Sequence, residues 1–243
     1  MRIIPIATFL MTLVPTSVAL GAGPEARQVR FVARDEPDIT LEGTLHVPER
    51  EARVPGVVVC HPDPRMGGAS DDAVVVAVSH EAFQRGMVVL RFNFRGVGKS
   101  TGEYDGEAEV NDVLGALDFL REQPEIDPER TFVAGYSFGA SMALLAALQD
   151  DESPAYAGVS LPYSGLAHEQ ELLGTASELG KRAFIVIGDE DQYGDADAIR
   201  ELLPAETTQV TVLPGVAHFY RAAGALEKMA EAVVDFLAGV GPD

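Results

Sequence analysis

From Val54 onward the sequence alternates short apolar runs with stretches of helical periodicity, a rhythm that few folds accommodate. The run Val54 to Cys60 is continuously apolar, as in a strand covered on both faces. A helical stretch from about Asp72 to Arg85 precedes the strand Met87 to Phe92. Apolar residues at 110, 113, 114, 117 and 120 mark a second helix. The strand Thr131 to Ala134 then leads into an apolar helix from Phe138 to Leu148, and a strand from Gly158 to Leu161 follows. Beyond it come a strand at Ala183 to Ile187, a short helix from about Ala196 to Leu203 and a strand at Gln209 to Leu213. The last helix carries Leu226, Met229, Val233, Phe236, Leu237 and Val240 on one face. Ahead of this series, Val29 to Val32 and Ile39 to Leu45 alternate at period two and read as an antiparallel hairpin, with its turn at Asp35 to Asp38 around Pro37. Strand–helix–strand units with right-handed crossovers build a mainly parallel central sheet with helices on both faces. The expectation is one α/β domain over residues 25–243 with a leading antiparallel hairpin.

With 243 residues the chain suits one large domain better than two. Its 38 acidic residues against 18 basic ones give a formal net charge of −20, which repels phosphate backbones and anionic membranes alike. Nucleic acid is therefore excluded as a partner. The single cysteine, Cys60, closes an apolar run and reads as a buried strand residue. Residues 1–22 stand apart: Arg2, an apolar stretch and small residues near Val18 to Ala22 form a secretory signal, with cleavage between Ala19 and Ala22. Cleavage would place the mature protein outside the cytoplasm, secreted or periplasmic. An uncleaved anchor or a start placed too far upstream are the competing readings, the latter leaving a cytoplasmic protein. No other segment is apolar enough to span a bilayer.

The chemistry is concentrated in Thr131 to Ala140, where a strand runs through Gly135-Tyr136-Ser137-Phe138-Gly139 into a helix. A nucleophile on so sharp a turn is pushed out of the sheet on a strained backbone, and the two glycines supply room that side chains would fill. The helix that follows points its N-terminus at Ser137, and the Phe138 N–H faces a developing oxyanion. A base is needed, and of five histidines His218 follows the final strand, at the sheet edge where ligands bind in open α/β folds. His46, His80 and His168 read as surface or structural residues. The orienting acid belongs at the preceding strand end, where Asp189, Glu190 and Asp191 all qualify. A calcium loop over the same acids fails, because Tyr193 and Arg200 fall where oxygen ligands are needed.

A second oxyanion donor is expected from His61-Pro62-Asp63-Pro64-Arg65-Met66-Gly67-Gly68. Proline has no N–H, so Asp63 is the one backbone donor between residues 62 and 64. His61 buttresses this loop in preference to acting chemically. The stretch Gly96 to Thr101 superficially matches a phosphate loop, yet Asn93 stands where the first glycine belongs, so it reads as a glycine-rich rim of the site.

Taken together, His61 to Gly68, Arg91 to Ser100, Gly135 to Gly139, Gly188 to Asp191 and His218 resemble the α/β-hydrolase superfamily. More narrowly they resemble small lidless bacterial serine hydrolases related to the dienelactone hydrolases. The resemblance spans residues 27 to 240. It implies the α/β-hydrolase fold without a large cap domain, and it places the acid on Asp191, the last residue of Gly-x-x-Asp. Two departures stand out. Asp63 replaces a histidine common in the family loop, and Ser137 stands where dienelactone hydrolases carry cysteine, which disfavours lactone opening. The implied reaction is hydrolysis of a small-molecule carboxylic ester by Ser137, His218 and Asp191, with no cofactor or metal. Amide hydrolysis by the same triad, or a non-catalytic binding role on this fold, are the rival readings. Only about twenty residues separate Leu161 from the next strand, too few for a lid domain, so short or exposed acyl groups are favoured.

Overall fold

A computed structural model describes residues 25–50, 52–162, 176 and 179–241. Residues 1–22, read from the sequence as a secretory signal, and His168 lie outside the described residues. Strands β1 (Glu25–Ala33), β2 (Glu36–Val47), β3 (Val54–Cys60), β4 (Val88–Phe92), β5 (Ile126–Tyr136), β6 (Ala155–Val159), β7 (Arg182–Gly188) and β8 (Thr208–Leu213) form one eight-stranded sheet. Its order is β1-β2-β4-β3-β5-β6-β7-β8. The pairs from β4 through β3 to β8 are parallel, whereas β1 with β2 and β2 with β4 are antiparallel. Helices α1 (Ala73–Gln84), α2 (Glu109–Arg121), α3 (Phe138–Gln149), α4 (Ala196–Leu202) and α5 (Ala225–Ala238) fill the connections. This is the mainly parallel, helix-covered sheet expected, and no cap domain stands over it among the described residues.

The continuous apolar run of β3 is explained by two cores. Side chains alternate across a strand, so Val58 and Cys60 enter one core while Val57 and Val59 enter the other. The first core packs under α2 and α3 through Leu114, Leu117 and Leu144; the second lies under α1 and α5 through Val78, Met229 and Val233. Burying each such side chain contributes about 1.5–3 kcal/mol. Burial also pushes the Cys60 thiol up in pKa, so it is an inert packing residue.

β5 begins at Ile126 rather than Thr131, and two further departures from the sequence expectation concern Pro37 and β6. Pro37 lies inside β2 rather than in the turn, which is tighter and places Asp35 at φ 62°. The register shifts between Val32, opposite Thr40, and Ala33, opposite Glu36, so Pro37 falls where the ladder is already broken and its missing N–H costs nothing. Strand β6 spans Ala155–Val159 instead of Gly158 to Leu161. Its alanines and glycine carry little strand propensity, but squeezed between β5 and β7 they are what fits. A Cβ on Gly158 would overlap the Tyr156 hydroxyl, which donates to the Ala140 carbonyl at 2.9 Å.

Candidate active site

Sheet order decides which strand ends meet. β5, β6, β7 and β8 are successive parallel neighbours, so the loops leaving their C-terminal ends share one rim. Ser137 sits between β5 and α3 at φ 53°, ψ −123°, a conformation costly for any residue with a Cβ. The turn closes because its glycines allow contact: a Cβ on Gly135 would overlap the Gly139 carbonyl, and one on Gly139 would overlap the carbonyls of Cys60 and His61. These contacts seat the end of β3 and the His61 loop directly against the start of α3.

Ser137, His218 and Asp191 are brought together. The Ser137 Oγ lies 2.9 Å from His218 Nε2, and His218 Nδ1 lies 2.9 and 3.0 Å from the two Asp191 carboxylate oxygens. His218 is 4 % exposed and the Asp191 side chain not at all. The imidazole is held by its surroundings: Tyr193 and Phe219 meet it edge-on at 4.7 and 5.4 Å between ring centroids, and the Tyr136 hydroxyl donates to the His218 carbonyl at 2.9 Å. Burial opposes a charge on Asp191, yet hydrogen bonds from His218, Ser160 and the Tyr193 amide outweigh it and hold the carboxyl below its ordinary range. The amides of Tyr193 and Gly194 donate to Oδ1 at 2.9 and 3.1 Å.

The three neighbouring acids divide their work. Asp189 accepts the Gly215 amide at 2.6 Å and so ties the acid loop to the histidine loop. The Glu190 amide donates to the Val216 carbonyl at 3.0 Å, and its side chain stays outside the triad. Only Asp191 reaches the imidazole. Neither carboxylate is free for a calcium loop, and Asp195 instead caps α4 through the amides of Asp197 and Ala198.

In the opposite loop, Asp63 caps the short 3-10 turn Pro64–Met66, accepting from the Arg65 amide and pairing with the Arg65 guanidinium at 2.6 Å. Its own amide donates to no described acceptor. The Phe138 amide is the first of α3 and has no intrahelical partner. Gly96 to Lys99 is a turn pinned by Glu42, which accepts the Lys99 amide at 2.7 Å and the Asn93 side chain at 3.0 Å. A carboxylate there repels phosphate, so the glycine-rich stretch is a rim. His46 accepts from Arg91 at 3.2 Å, away from the triad. A groove of about 720 Å³ lined by Pro128, Ser153, Lys181 and Arg182 opens at the N-terminal ends of the strands, the wrong rim for this chemistry.

His61 is completely buried; its Nδ1 donates to the Pro62 carbonyl at 2.7 Å and its Nε2 accepts the Phe94 amide at 3.0 Å. Both nitrogens are committed, and burial drives its pKa down to about 4. Protonation would break the Phe94 bond. A folded pKa below the unfolded value near 6.5 means the unfolded chain binds the extra proton first, so this stability is full above pH 6.5 and is lost as pH falls toward 4. Denaturant unfolding at pH 7.5 and 4.5 should show the wild type losing about 2–3 kcal/mol more than His61→Gln across that interval. Equal losses would remove this account of His61.

Sequence reasoning missed Ser160, Tyr136, Tyr193 and Tyr220 around the triad. None belongs to a spaced motif that names its role except Tyr136, the residue before the serine.

The chain matches known proteins along most of its length. A family described as alpha/beta hydrolase domain matches residues 58–238. An uncharacterized protein of Rickettsia prowazekii is 29 % identical over 210 residues, 83 % of this chain and 85 % of that protein. A thiohydrolase of Aspergillus aculeatus is 34 % identical over 128 residues, 51 % of this chain but 37 % of its own length. Among solved structures, an alpha-beta serine hydrolase homologue from Coxiella burnetii superposes with a TM-score of 0.73 at 26 % identity, covering 89 % of this chain and 98 % of that one. A lidless serine hydrolase from Xanthomonas campestris, 24 % identical with a TM-score of 0.72, shares the fold over 96 % of this chain and all of its own. Sheet order, the strained turn between β5 and α3 and the match over residues 58–238 agree that this chain belongs to the α/β-hydrolase family.

Proposed function

We propose that the protein hydrolyses carboxylic esters with short or exposed acyl groups, using Ser137 as nucleophile, His218 as base and Asp191 as orienting acid. The observation that carries this reading is the unbroken hydrogen-bonded path from Ser137 Oγ through His218 to Asp191 at a strained nucleophile turn. In the first half-reaction His218 Nε2 takes the Ser137 proton as Oγ attacks the carbonyl carbon. The oxyanion accepts from the Phe138 and Asp63 amides, and collapse expels the alcohol, which receives its proton from His218. Water then enters and attacks the acyl carbon as His218 takes one of its protons; the bond from Ser137 Oγ to that carbon breaks, His218 returns the proton to Oγ, and the acid leaves the regenerated enzyme. The ionised Asp191 stabilises the imidazolium in both halves. The same reading makes the protein kin to the dienelactone hydrolases, with serine in place of their cysteine.

The preference for exposed acyl groups rests on the rim. Tyr193 and Phe219, both against the His218 ring, are 37 and 44 % exposed and Met66 in the facing loop is 66 % exposed, so the described part of the rim is open and apolar. On p-nitrophenyl esters kcat/KM should be higher for acetate and butyrate than for palmitate by at least about tenfold. Faster turnover of long-chain emulsions would overturn the acyl preference. The thiohydrolase relative makes thioesters the natural second arm of the same panel, and amides the third. Amide turnover exceeding that of the matched ester would reassign the protein as an amidase.

A further inference from the structure

Side chains alternate along β2: Leu41, Leu45 and Val47 enter the core under α2 and α3, so Glu42, Thr44 and His46 face the side of α1. Arg91, opposite Thr44 in the ladder between β2 and β4, shares that face. α1 packs over β3, β4 and β5, and the polar face of β2 lies beyond it. At this seam is a cavity of about 140 Å³, lined by His46 and Arg91 from the sheet and by Val76, Ser79, His80 and Phe83 from α1. None of these residues belongs to the proposed catalytic machinery.

Two groups in this cavity lack the partners that their chemistry calls for. Ser79 is 6 % exposed, and its Oγ has no hydrogen-bond partner. A serine inside a helix ordinarily bonds a carbonyl one turn back or points into water, and Ser79 does neither. Arg91 donates from Nε to His46 Nε2 at 3.2 Å and from Nη1 to the Ser70 carbonyl at 2.8 Å. No carboxylate among the described residues pairs with it, in a chain that carries 38 acidic residues for 18 basic ones. Because His46 Nε2 accepts, the imidazole proton sits on Nδ1 and the ring is neutral. The Arg91 charge is thus half-buried without a counter-ion, in the same cavity as an unused hydroxyl.

The rest of the lining includes an apolar wall: Val76, 40 % exposed, and Phe83, whose ring meets His46 edge-on at 6.3 Å between centroids. A cation and a hydroxyl donor beside apolar surface, with no acid in the lining, suit an anion that carries a hydrocarbon end. We propose that the cavity binds a short-chain monocarboxylate, its carboxylate accepting from Arg91 Nη2 and the Ser79 hydroxyl and its chain lying on Val76 and Phe83. The volume equals that of about four or five waters, which butyrate fills. Inorganic phosphate would satisfy the donors equally but gain nothing from Val76 and Phe83. The acid that ester hydrolysis releases is of this chemical class, yet the recognition does not rest on the triad.

The test titrates the full chain with sodium butyrate at constant ionic strength, following the ring resonances of His46, His80 and His218 and the thermal unfolding midpoint. Butyrate should shift His46 and His80 saturably and raise Tm, whereas 1-butanol at the same concentration should do neither. Ser79→Ala should unfold at a higher temperature than the wild type without ligand, since an unpaired buried hydroxyl is removed, and should bind butyrate about tenfold or more weakly. A serine that serves packing alone would not show that opposed pair of effects. Arg91→Gln, which can still donate to the Ser70 carbonyl, should lose saturable binding; should it fail to fold, Ser79→Ala carries the measurement. Shifts confined to His218 would place the carboxylate at the triad and overturn the proposal. Phosphate or butanol acting as strongly as butyrate overturns it too, as does unchanged butyrate affinity in Ser79→Ala. Ester turnover is not a readout, so a chain that hydrolyses no ester can still bind here, and a failure to bind leaves the ester reading standing.

Discussion

Ser137→Ala should abolish labelling by a fluorophosphonate probe and cut ester turnover by about 10⁴-fold or more. The size of the loss follows from what the hydroxyl does. In the proposed reaction it is the atom that bonds to the acyl carbon, so its removal would delete the covalent route and leave only what the amides of Phe138 and Asp63 and substrate binding achieve with water. The change also separates chemistry from folding. Alanine keeps a Cβ at φ 53°, so it inherits the backbone strain and removes one oxygen whose only side-chain partner among the described residues is His218 Nε2. The fold therefore survives, and thermal unfolding of the variant should match or exceed the wild type, as is common when a strained, polar site is neutralised. Labelling that persists in Ser137→Ala, or a loss of only a few fold, would show that another nucleophile does the work.

Much of this site was legible because its demands on the chain are local. Gly135, Ser137 and Gly139 stand within five residues between a buried strand and an apolar helix, and the turn they make follows from steric exclusion alone. His218 could be chosen because parallel strand ends converge. The choice among Asp189, Glu190 and Asp191 could not be made from their order, since side-chain direction over three loop residues depends on the contacts of Gly188. A Cβ there would overlap the Val216 carbonyl, and that close approach turns Asp189 toward the Gly215 amide and leaves Asp191 facing the imidazole. Strand β6 was misplaced for a related reason: its alanines and glycine were selected by the width between β5 and β7, a tertiary quantity that overrides propensity. Ser160 and Tyr220 were illegible altogether. A serine and a tyrosine sixty positions apart carry no spacing signal, and what brings their hydroxyls within 3.1 Å is the sheet order that sets β6 beside β7.

Asp191→Asn should lower kcat by about 10⁴-fold while leaving the fold intact. The side chain is fully buried beside His218, so the imidazolium formed when Ser137 gives up its proton has no solvent to stabilise it and depends on this carboxylate. Asparagine has nearly the same shape, and its amide oxygen can still accept from Tyr193 and Gly194 at the Oδ1 position. Its NH₂ group then occupies the other position, 3.0 Å from Nδ1 in the native pair. A donor beside Nδ1 favours the tautomer with the proton on Nε2, the nitrogen that must be empty to receive the proton of Ser137. Charge and tautomer are thus lost together, whereas KM, set at the rim, should change little. Because the native carboxyl is held below its ordinary pKa, the wild type keeps this acid ionised through neutral pH and well into the acid range. Asp189→Asn is the internal control. Its amide oxygen can replace the carboxylate as acceptor for Gly215, and activity should stay within a few fold of wild type. The reverse pattern, with Asp189→Asn inactive and Asp191→Asn active, would move the acid to Asp189 and break the geometric argument linking Asp191 to His218.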